Sequence, residues 1–459
     1  MIRLLLTVLL LPLLQYVDGQ TVYFRHYEIE SGLSNNSVIA ILQDKDGFLW
    51  FGTPDGLNRF DGYEFKLFRF DQEAAQGAAS NAIFCLHQDA NGTLWVGASK
   101  GLYYYDPKDE SFTRLKGTQG KWVRNIESDA DNNVWFVENS RLYQYVSGTK
   151  EVSEQHPAAL PTITTLYRSS DNLLWLGCAN GILARLDPRT KTFAYFPAPA
   201  VNRTANTIHA ICEYTGNTLL IGTSLAGLMQ FDGTKQHWTA VSLTPATKDE
   251  PYVRTILRVS PKEYWIGTEA GLFILNRDPD SVRHFYKVTG DSYSLSDNAV
   301  YSLCRDKEGG IWAGTYFGGI NYFPNHLVQF EKFFPQTDVI SIRGSVVREI
   351  VQDKYGKLWI GTEDKGLSRF DPVTQRFFNC IDSKGSLAAL PTNIHGLLAD
   401  GDRLYIGTFE NGLYIMDLRT QSILQHHVAG AANGLNSNYI NILYKTRKGD
   451  IWVCTSNSI

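Results

Sequence analysis

Apolar and polar residues alternate in short runs along almost the whole chain, and each run stops at a cluster of Gly, Asp, Asn or Pro. This period-two pattern predicts β-strands, and nowhere does a 3.6-residue repeat of the helical kind replace it. The copy SVIAILQDKDGFLWFGTPDGLNRFDG, residues 37–62, shows the unit most clearly. A first strand is expected over residues 38–43, and the Asp-x-x-Gly of Asp44 to Gly47 then turns the chain, with Gly supplying a positive φ. The second strand carries Trp50. A Gly-Thr-x-x-Gly loop leads into a third strand at residues 57–60, which ends at Asp61-Gly62, as others end at Asp106-Pro107 and Asp187-Pro188. An aromatic outer strand follows, here residues 65–70.

The Trp of this unit recurs in register at Trp50, Trp95, Trp135, Trp175, Leu220, Trp265, Trp312, Trp359, Tyr405 and Trp452, at intervals of 40 to 47 residues. Gly follows two places later in eight copies; Val137 and Cys454 are the exceptions. A repeat of about 40–45 residues with four strands predicts a β-propeller, because one such sheet cannot bury both faces and radial stacking can. Ten register positions exceed one ring of about 4–8 blades. The segment Phe24-Arg25-His26-Tyr27 looks like an outer strand without a blade, which would close a ring and cover its edge, and the pattern returns at Phe330-Glu331-Lys332-Phe333. The expected architecture is therefore all-β: a seven-bladed propeller over residues 22–326, then the incomplete start of a second propeller over residues 327–459. Repeat ten stops at Ile459 inside its own motif, so the chain reads as a fragment.

Composition changes this picture little. Gly is abundant at 39 and Met scarce at 3, as expected of strands and turns, and a net charge of −4 without basic runs argues against nucleic acid as a partner. Residues 1–19 read as an export signal: Arg3, then the apolar residues 4–14, then Val17-Asp18-Gly19, with the mature chain starting near Gln20. Export places the protein in the periplasm. The six cysteines, Cys85, Cys178, Cys212, Cys304, Cys380 and Cys454, are far apart and sit in apolar strand patterns, so they read as small buried hydrophobes; without a CxxC pair no zinc site is expected, and no other metal or cofactor.

The segment FRHYEIESGLSNNSVIAILQDKDGFLWFGTPDGLNRFDGYEFKLF, with GGIWAGTYFGGINYF at residues 309–323, resembles the periplasmic sensor region of bacterial hybrid two-component systems, which carries two-component-regulator propeller repeats. The resemblance implies a second propeller, a small β-sandwich, a membrane span, a histidine kinase and often a DNA-binding response regulator beyond this chain. It also implies oligosaccharide ligands, anchoring of the full protein in the inner membrane and a homodimeric state, with kinase activity outside this chain. Repeat three departs from the pattern, with Val137 and Arg141 where Gly is usual, so an altered loop is expected there.

Within the first seven repeats the position six before the turn is always apolar: Val38, Ile83, Val123, Ile163, Ile208, Val253, Val300. The next position varies: Ile39, Phe84, Arg124, Thr164, His209, Arg254, Tyr301. Variation within a regular repeat is what a ligand-reading position should show. Trp122 and Tyr252 precede the strands of Arg124 and Arg254, and alternation predicts that each aromatic shares a side with its Arg. Tyr316 and Phe317 add aromatic surface in a loop. Trp122, Arg124, His209, Tyr252, Arg254, Tyr301, Tyr316 and Phe317 are thus the candidate ligand-binding residues, suited to sugar rings and, through Arg, to a carboxylate or sulfate. Two alternatives stay open: that these residues fill the channel or meet further domains of a protein-interaction scaffold, and a sialidase-like glycosidase or lyase using Arg124, Arg254 and Tyr301. Against the enzyme, the turn lacks the Ser and Thr of the Asp-box and no supporting carboxylate is evident. No catalytic residue is assigned; the turn residues Asp44, Asp89, Asp306 and Asp353 read as structural, and His209 and His395 occupy equivalent positions in different rings.

Overall fold

The computed structural model describes residues 23–70, 81–199, 206–244, 249–277, 280–325, 332–336, 340–379, 390–431 and 434–457. The expected export signal lies outside them. The chain divides into two units, Met1–Leu327 and Val328–Ile459. In the first, seven four-stranded antiparallel sheets form as the repeat predicts. Blades one to six are each continuous in sequence, beginning with strands Ala40–Gln43, Ile83–Gln88, Val123–Ser128, Ile163–Arg168, Ile208–Glu213 and Val253–Ser260. Blade seven takes its inner three strands from Val300–Arg305, Ile311–Thr315 and Ile320–Phe323 and its outer strand from Arg25–Tyr27, with Arg25 opposite Tyr322 and Tyr27 opposite Ile320. The inner strands touch in cyclic order, and Ala40–Gln43 meets Val300–Arg305, so the ring is closed.

Two devices recur among the blades, with Ser169 and Tyr214 in place of the turn Asp in blades four and five. The first is the turn Asp, whose role is larger than turn formation. Asp44 Oδ1 accepts the backbone N–H groups of Asp46 and Phe48 at 2.9 and 3.0 Å, while its Oδ2 accepts the indole N–H of the fully buried Trp50 at 2.7 Å. The same indole bond recurs at Trp95–Asp89, Trp135–Asp129, Trp312–Asp306 and Trp359–Asp353. In blade six, where Val259 stands at the Asp position, Trp265 donates to Glu263 instead at 2.7 Å. One carboxylate thus fixes a hairpin and satisfies the one polar atom of the largest core side chain.

The second device is the Gly two residues after Trp. A Cβ at Gly52 would stand 2.8 Å from Ile83 of the next blade, and one at Gly314 would stand 2.7 Å from the Val38 carbonyl oxygen. Each apolar first-strand residue therefore presses onto the Gly of the blade before it, and all seven are 0–2% exposed. Blade three keeps the contact differently: Val137 packs in one cluster with Ile163. Its loop is a two-residue hairpin with Asn139 and Ser140 both at positive φ, 47° and 67°, which releases position 141 from the need for Gly.

Of the cysteines, Cys178 and Cys212 are buried, Cys85, Cys304 and Cys454 are half-buried, and all five are free; Cys380 lies outside the described residues. In the second unit, sheets beginning at Val347–Gln352 and Ile394–Asp400 and the hairpin Ile440–Lys445 with Ile451–Thr455 repeat the design. Phe330 and Glu331 of the second expected closing strand lie outside the described residues and residues 332–336 form no strand; Phe333 lies tilted to Phe370 and edge-on to Phe377 at 4.8 and 5.3 Å.

Candidate functional site

In blades two to seven the backbone brings three variable positions together; in blade one Pro54 stands at the donor position and has no N–H to give. The residue four after the Trp position donates its N–H to the carbonyl of the residue before the apolar position: Asn139 to Trp122 at 3.0 Å, Ser224 to Thr207 at 3.0 Å, Glu269 to Tyr252 at 3.1 Å, Tyr316 to Ala299 at 3.0 Å. That bond clamps the loop between strands two and three to the start of strand one. Between the apolar residue and the third residue of the strand the pairing register shifts, as from Val123 to Asn125 and from Val253 to Thr255, so the variable residue between them is a β-bulge. Simple alternation therefore does not apply at Arg124 and Arg254. The bulge re-aims the side chain, and this is what sets it against the loop and the preceding aromatic.

The eight candidate residues fall into two groups. In blades two and three, the Arg124 guanidinium lies 5.2 Å from the ring centres of both Phe84 and Trp122, which are themselves 5.7 Å apart. Among the described residues no carboxylate pairs with it. Blade four contributes nothing to either group, because Thr164 turns its hydroxyl onto the Ile208 and Gly177 carbonyls at 2.5 and 2.9 Å.

In blades five to seven the side chains form one continuous chain. His209 Nε2 and the Tyr252 hydroxyl share a hydrogen bond of 2.6 Å. Arg254 stacks between Tyr252 and Tyr301, at 3.9 and 4.5 Å from the ring centres, and its Nε donates to Glu269 Oε1 at 2.6 Å, with Nη2 also on that oxygen. The Tyr301 hydroxyl donates to the same oxygen at 3.1 Å. Tyr301 stacks on Tyr316 at 5.0 Å, and Tyr316 meets Phe317 edge-on at 4.4 Å, leaving Phe317 74% exposed. Burial, with Arg254 beside it, lowers His209 to about 4, so its imidazole is neutral near pH 7. Burial raises Tyr301 to about 12, and Glu269 adds to the shift against the opposing Arg254, so the phenol stays protonated.

Glu269 is the residue that reading the sequence missed. It holds in blade six the loop position that Tyr316 holds in blade seven, so the same alignment that found Tyr316 points to it. Its presence changes the chemistry of this half: Arg254 is already neutralised, and the surface is one of aromatic faces with paired donors and acceptors, whereas Arg124 has no carboxylate partner among the described residues. Among the described residues no group of three or more His, Cys, Asp or Glu is placed to hold a metal ion. A groove of about 660 Å³ between the outer strands of blades two and three, over Trp95, Tyr104 and Tyr145, contains none of the eight candidate residues.

Further along the same inner strands sits a titratable cluster. Glu127 Oε2 lies 3.9 Å from His87 Nδ1, His87 Nε2 bonds Ser128 Oγ at 3.0 Å, and Arg168 donates to the Ser128 carbonyl at 3.0 Å. Burial raises Glu127 from 4.5 to about 7, against the pull of Arg168. Because the folded-state value is raised, this group's contribution is fully present below pH ~4.5 and is lost as pH rises through ~7. Glu127→Gln should thus gain stability over wild type as pH rises, reaching about 2–3 kcal/mol at pH 8 and little at pH 4.5. Urea unfolding of both proteins across this range measures it, and a difference that does not change with pH would refute the assignment. His87, lowered to about 4 by burial, bends both curves downward on the acid side and cancels in the comparison.

Residues 32–55, 77–100, 294–317, 341–364 and 434–457 match the two component regulator propeller family. A stretch of 52 residues, 11% of this chain, is 52% identical to histidine kinase P4 of Formosa agariphila and covers 4% of it. Among solved structures, the chain matches over 95% of its length the extracellular domain of the putative hybrid two component system BT3049 from B. thetaiotaomicron, with 23% identity, a TM-score of 0.60 and 64% of that chain covered. The extracellular domain of BT4673 from the same organism is similar at 20% identity and a TM-score of 0.58, with 95% and 65% covered. Virginiamycin B lyase from Staphylococcus aureus shares the fold at 12% identity and a TM-score of 0.53, over 67% of this chain and 100% of that one. The chain thus spans less than two thirds of the sensor domains it resembles. Five stretches of the chain thus carry the two component regulator propeller repeat, and its fold is that of the extracellular domains of hybrid two component systems.

Proposed function

We infer that this chain is the ligand-sensing, extracytoplasmic part of a hybrid two-component sensor, and that its first ring binds an oligosaccharide without transforming it. The observation that carries the reading is the continuous surface from His209 through Tyr252, Arg254, Glu269 and Tyr301 to Tyr316 and Phe317. Aromatic faces there suit the C–H faces of sugar rings, and the flanking paired donors and acceptors suit their hydroxyls. Arg124, held between Phe84 and Trp122 with its charge free, suits an acidic group on the same ligand. On this reading binding is answered by a kinase and a membrane anchor in a longer protein, with a second copy as partner. Binding would act by favouring one packing of propellers or protomers over another.

Calorimetry of the chain with neutral and uronic-acid oligosaccharides tests this. Arg124→Ala should weaken the acidic ligands tenfold or more and leave neutral ones within about threefold, whereas Arg254→Ala should weaken both, since it releases Glu269 and the two tyrosines together. Affinities that neither substitution changes would remove the site.

One observation favours a second reading. Glu269 supplies the carboxylate beside Tyr301 that a sialidase-like hydrolase needs. Against it, Tyr301 is held protonated and a single Arg, already paired, stands near. Release of product from aryl sialosides by wild type, abolished in Tyr301→Phe, would establish hydrolysis; binding without product leaves sensing.

A further inference from the structure

The three register positions that build the first ring's site recur in the second unit, and their side chains meet there too. Arg348 follows the apolar Val347 and His395 follows Ile394; Glu363 and Phe409 stand four residues after Trp359 and Tyr405; Tyr439 precedes Ile440 as Tyr252 precedes Val253. The same backbone clamp is present, Glu363 N–H to the Val346 carbonyl at 3.0 Å and Phe409 N–H to that of Asn393 at 3.2 Å. The register shift recurs as well, between Val347 and Glu349 and between Ile394 and Gly396, making Arg348 and His395 bulge residues.

Arg348 Nη1 lies 3.4 Å from Glu363 Oε1, and His395 Nε2 lies 3.9 Å from the same oxygen. Phe409 and Tyr439 meet edge to face at 4.4 Å, and both rings contact His395, at 5.2 and 5.5 Å between centres. The arrangement repeats that of Arg254, Glu269 and Tyr301, with an imidazole in place of the phenol. The His395 side chain is only 7% exposed, yet its Nδ1 is buried with no hydrogen-bond partner among the described residues. Buried polar atoms are usually paired, and a ligand hydroxyl seated between Arg348, Glu363 and the two rings is a partner that would satisfy this one. Burial and the neighbouring Arg348 hold the imidazole below its usual range, so the ring offers one donor and one acceptor rather than a charge.

A donor fork and an acceptor carboxylate side by side match two adjacent hydroxyls, and the Phe409–Tyr439 pair supplies a ring face. With Glu363 over the guanidinium, an anion is disfavoured. We propose that Arg348, Glu363, His395, Phe409 and Tyr439 form a second saccharide site, contained in the second unit and selective for a neutral pyranose with vicinal hydroxyls. The proposal rests on the reading of these register positions as ligand-reading in the first ring.

Saturation-transfer NMR on the whole chain tests it with maltotriose, cellotriose, xylotriose and mannotriose as probes, comparing wild type with Arg254→Ala, His395→Gln and Phe409→Leu. Phe409→Leu keeps apolar volume while losing the ring face, so the test stays readable if His395→Gln fails to fold. At least one probe should give a signal that falls tenfold or more in the His395 and Phe409 variants and survives in Arg254→Ala. No signal from any probe on wild type, or one unchanged in both second-unit variants, overturns the proposal. A signal lost only in Arg254→Ala also overturns it while sustaining the first site. Only if every probe that gives a signal loses it in the second-unit variants alone is the proposal sustained while neutral-sugar binding is removed from the first ring.

Discussion

Asp44→Ala is expected to destabilise the first unit by about 3–4 kcal/mol, more than a surface turn residue would. The substitution removes three hydrogen bonds to a carboxylate, two from turn amides and one from the Trp50 indole. Bonds to charged groups contribute about 1.5–3 kcal/mol each, and a buried donor left unpaired costs about 1–3 kcal/mol. The turn amides can turn to water, but the indole cannot, because Trp50 is fully buried against the next blade. Combining Asp44→Ala with Trp50→Phe separates these effects. The indole bond should appear as a coupling of about 1–2 kcal/mol in a double-mutant cycle measured by guanidinium unfolding. Strict additivity would mean that the carboxylate acts on the turn alone.

Gly97→Ala is expected to cost about 3 kcal/mol or more, although it adds a single methyl group. That group would stand 2.3 Å from Cys85 Sγ and 2.6 Å from the Val123 backbone oxygen. The sulfur belongs to the same blade and can be removed by mutation; the carbonyl belongs to the inner strand of the next blade and can yield only if the blades part. Cys85→Ala should therefore restore less than half of the loss. Gly148→Ala is the control, since nothing lies within 4 Å of its Cβ and its φ is not in the left-handed region. It should be neutral or stabilising by up to about 1 kcal/mol. Equal thermal shifts for the two glycines would refute the close-approach account.

The strands and the closing segment were legible because their signals repeat. Trp, Gly and the turn Asp each answer to a contact that most blades make, so Trp50 and Trp312 announce the same geometry from distant parts of the chain. Two features of the site were not legible, for different reasons. The β-bulge at Arg124 and Arg254 is a backbone register shift, and alternation of apolar residues carries no mark of it; Val123 and Val253 look like ordinary inward positions. Glu269 was hidden because the loop position was read only in blade seven, where an aromatic drew attention to it. Arg254 consequently looked like a free anion receptor, when it is half of an ion pair. In the second unit the apolar position again identified itself, yet Val347 is 46% exposed whereas Ile394 and Ile440 are fully buried. Burial at that position is conferred by the neighbouring blade, which a single repeat cannot specify.

The outer strand Arg25–Tyr27 that completes blade seven has a bearing on time as well as on shape. His26 bonds the carbonyl of Ser294, 268 residues away, and Phe24 donates its N–H to Tyr293. Contacts of such separation form slowly, because the ends of the chain must first find each other. This strand, made before the six blades that follow it, is thus among the last to pair and must wait while they assemble behind it. Until then Ile320–Phe323 presents bare backbone, and the half-made ring is most exposed to aggregation and to exchange of strands between copies.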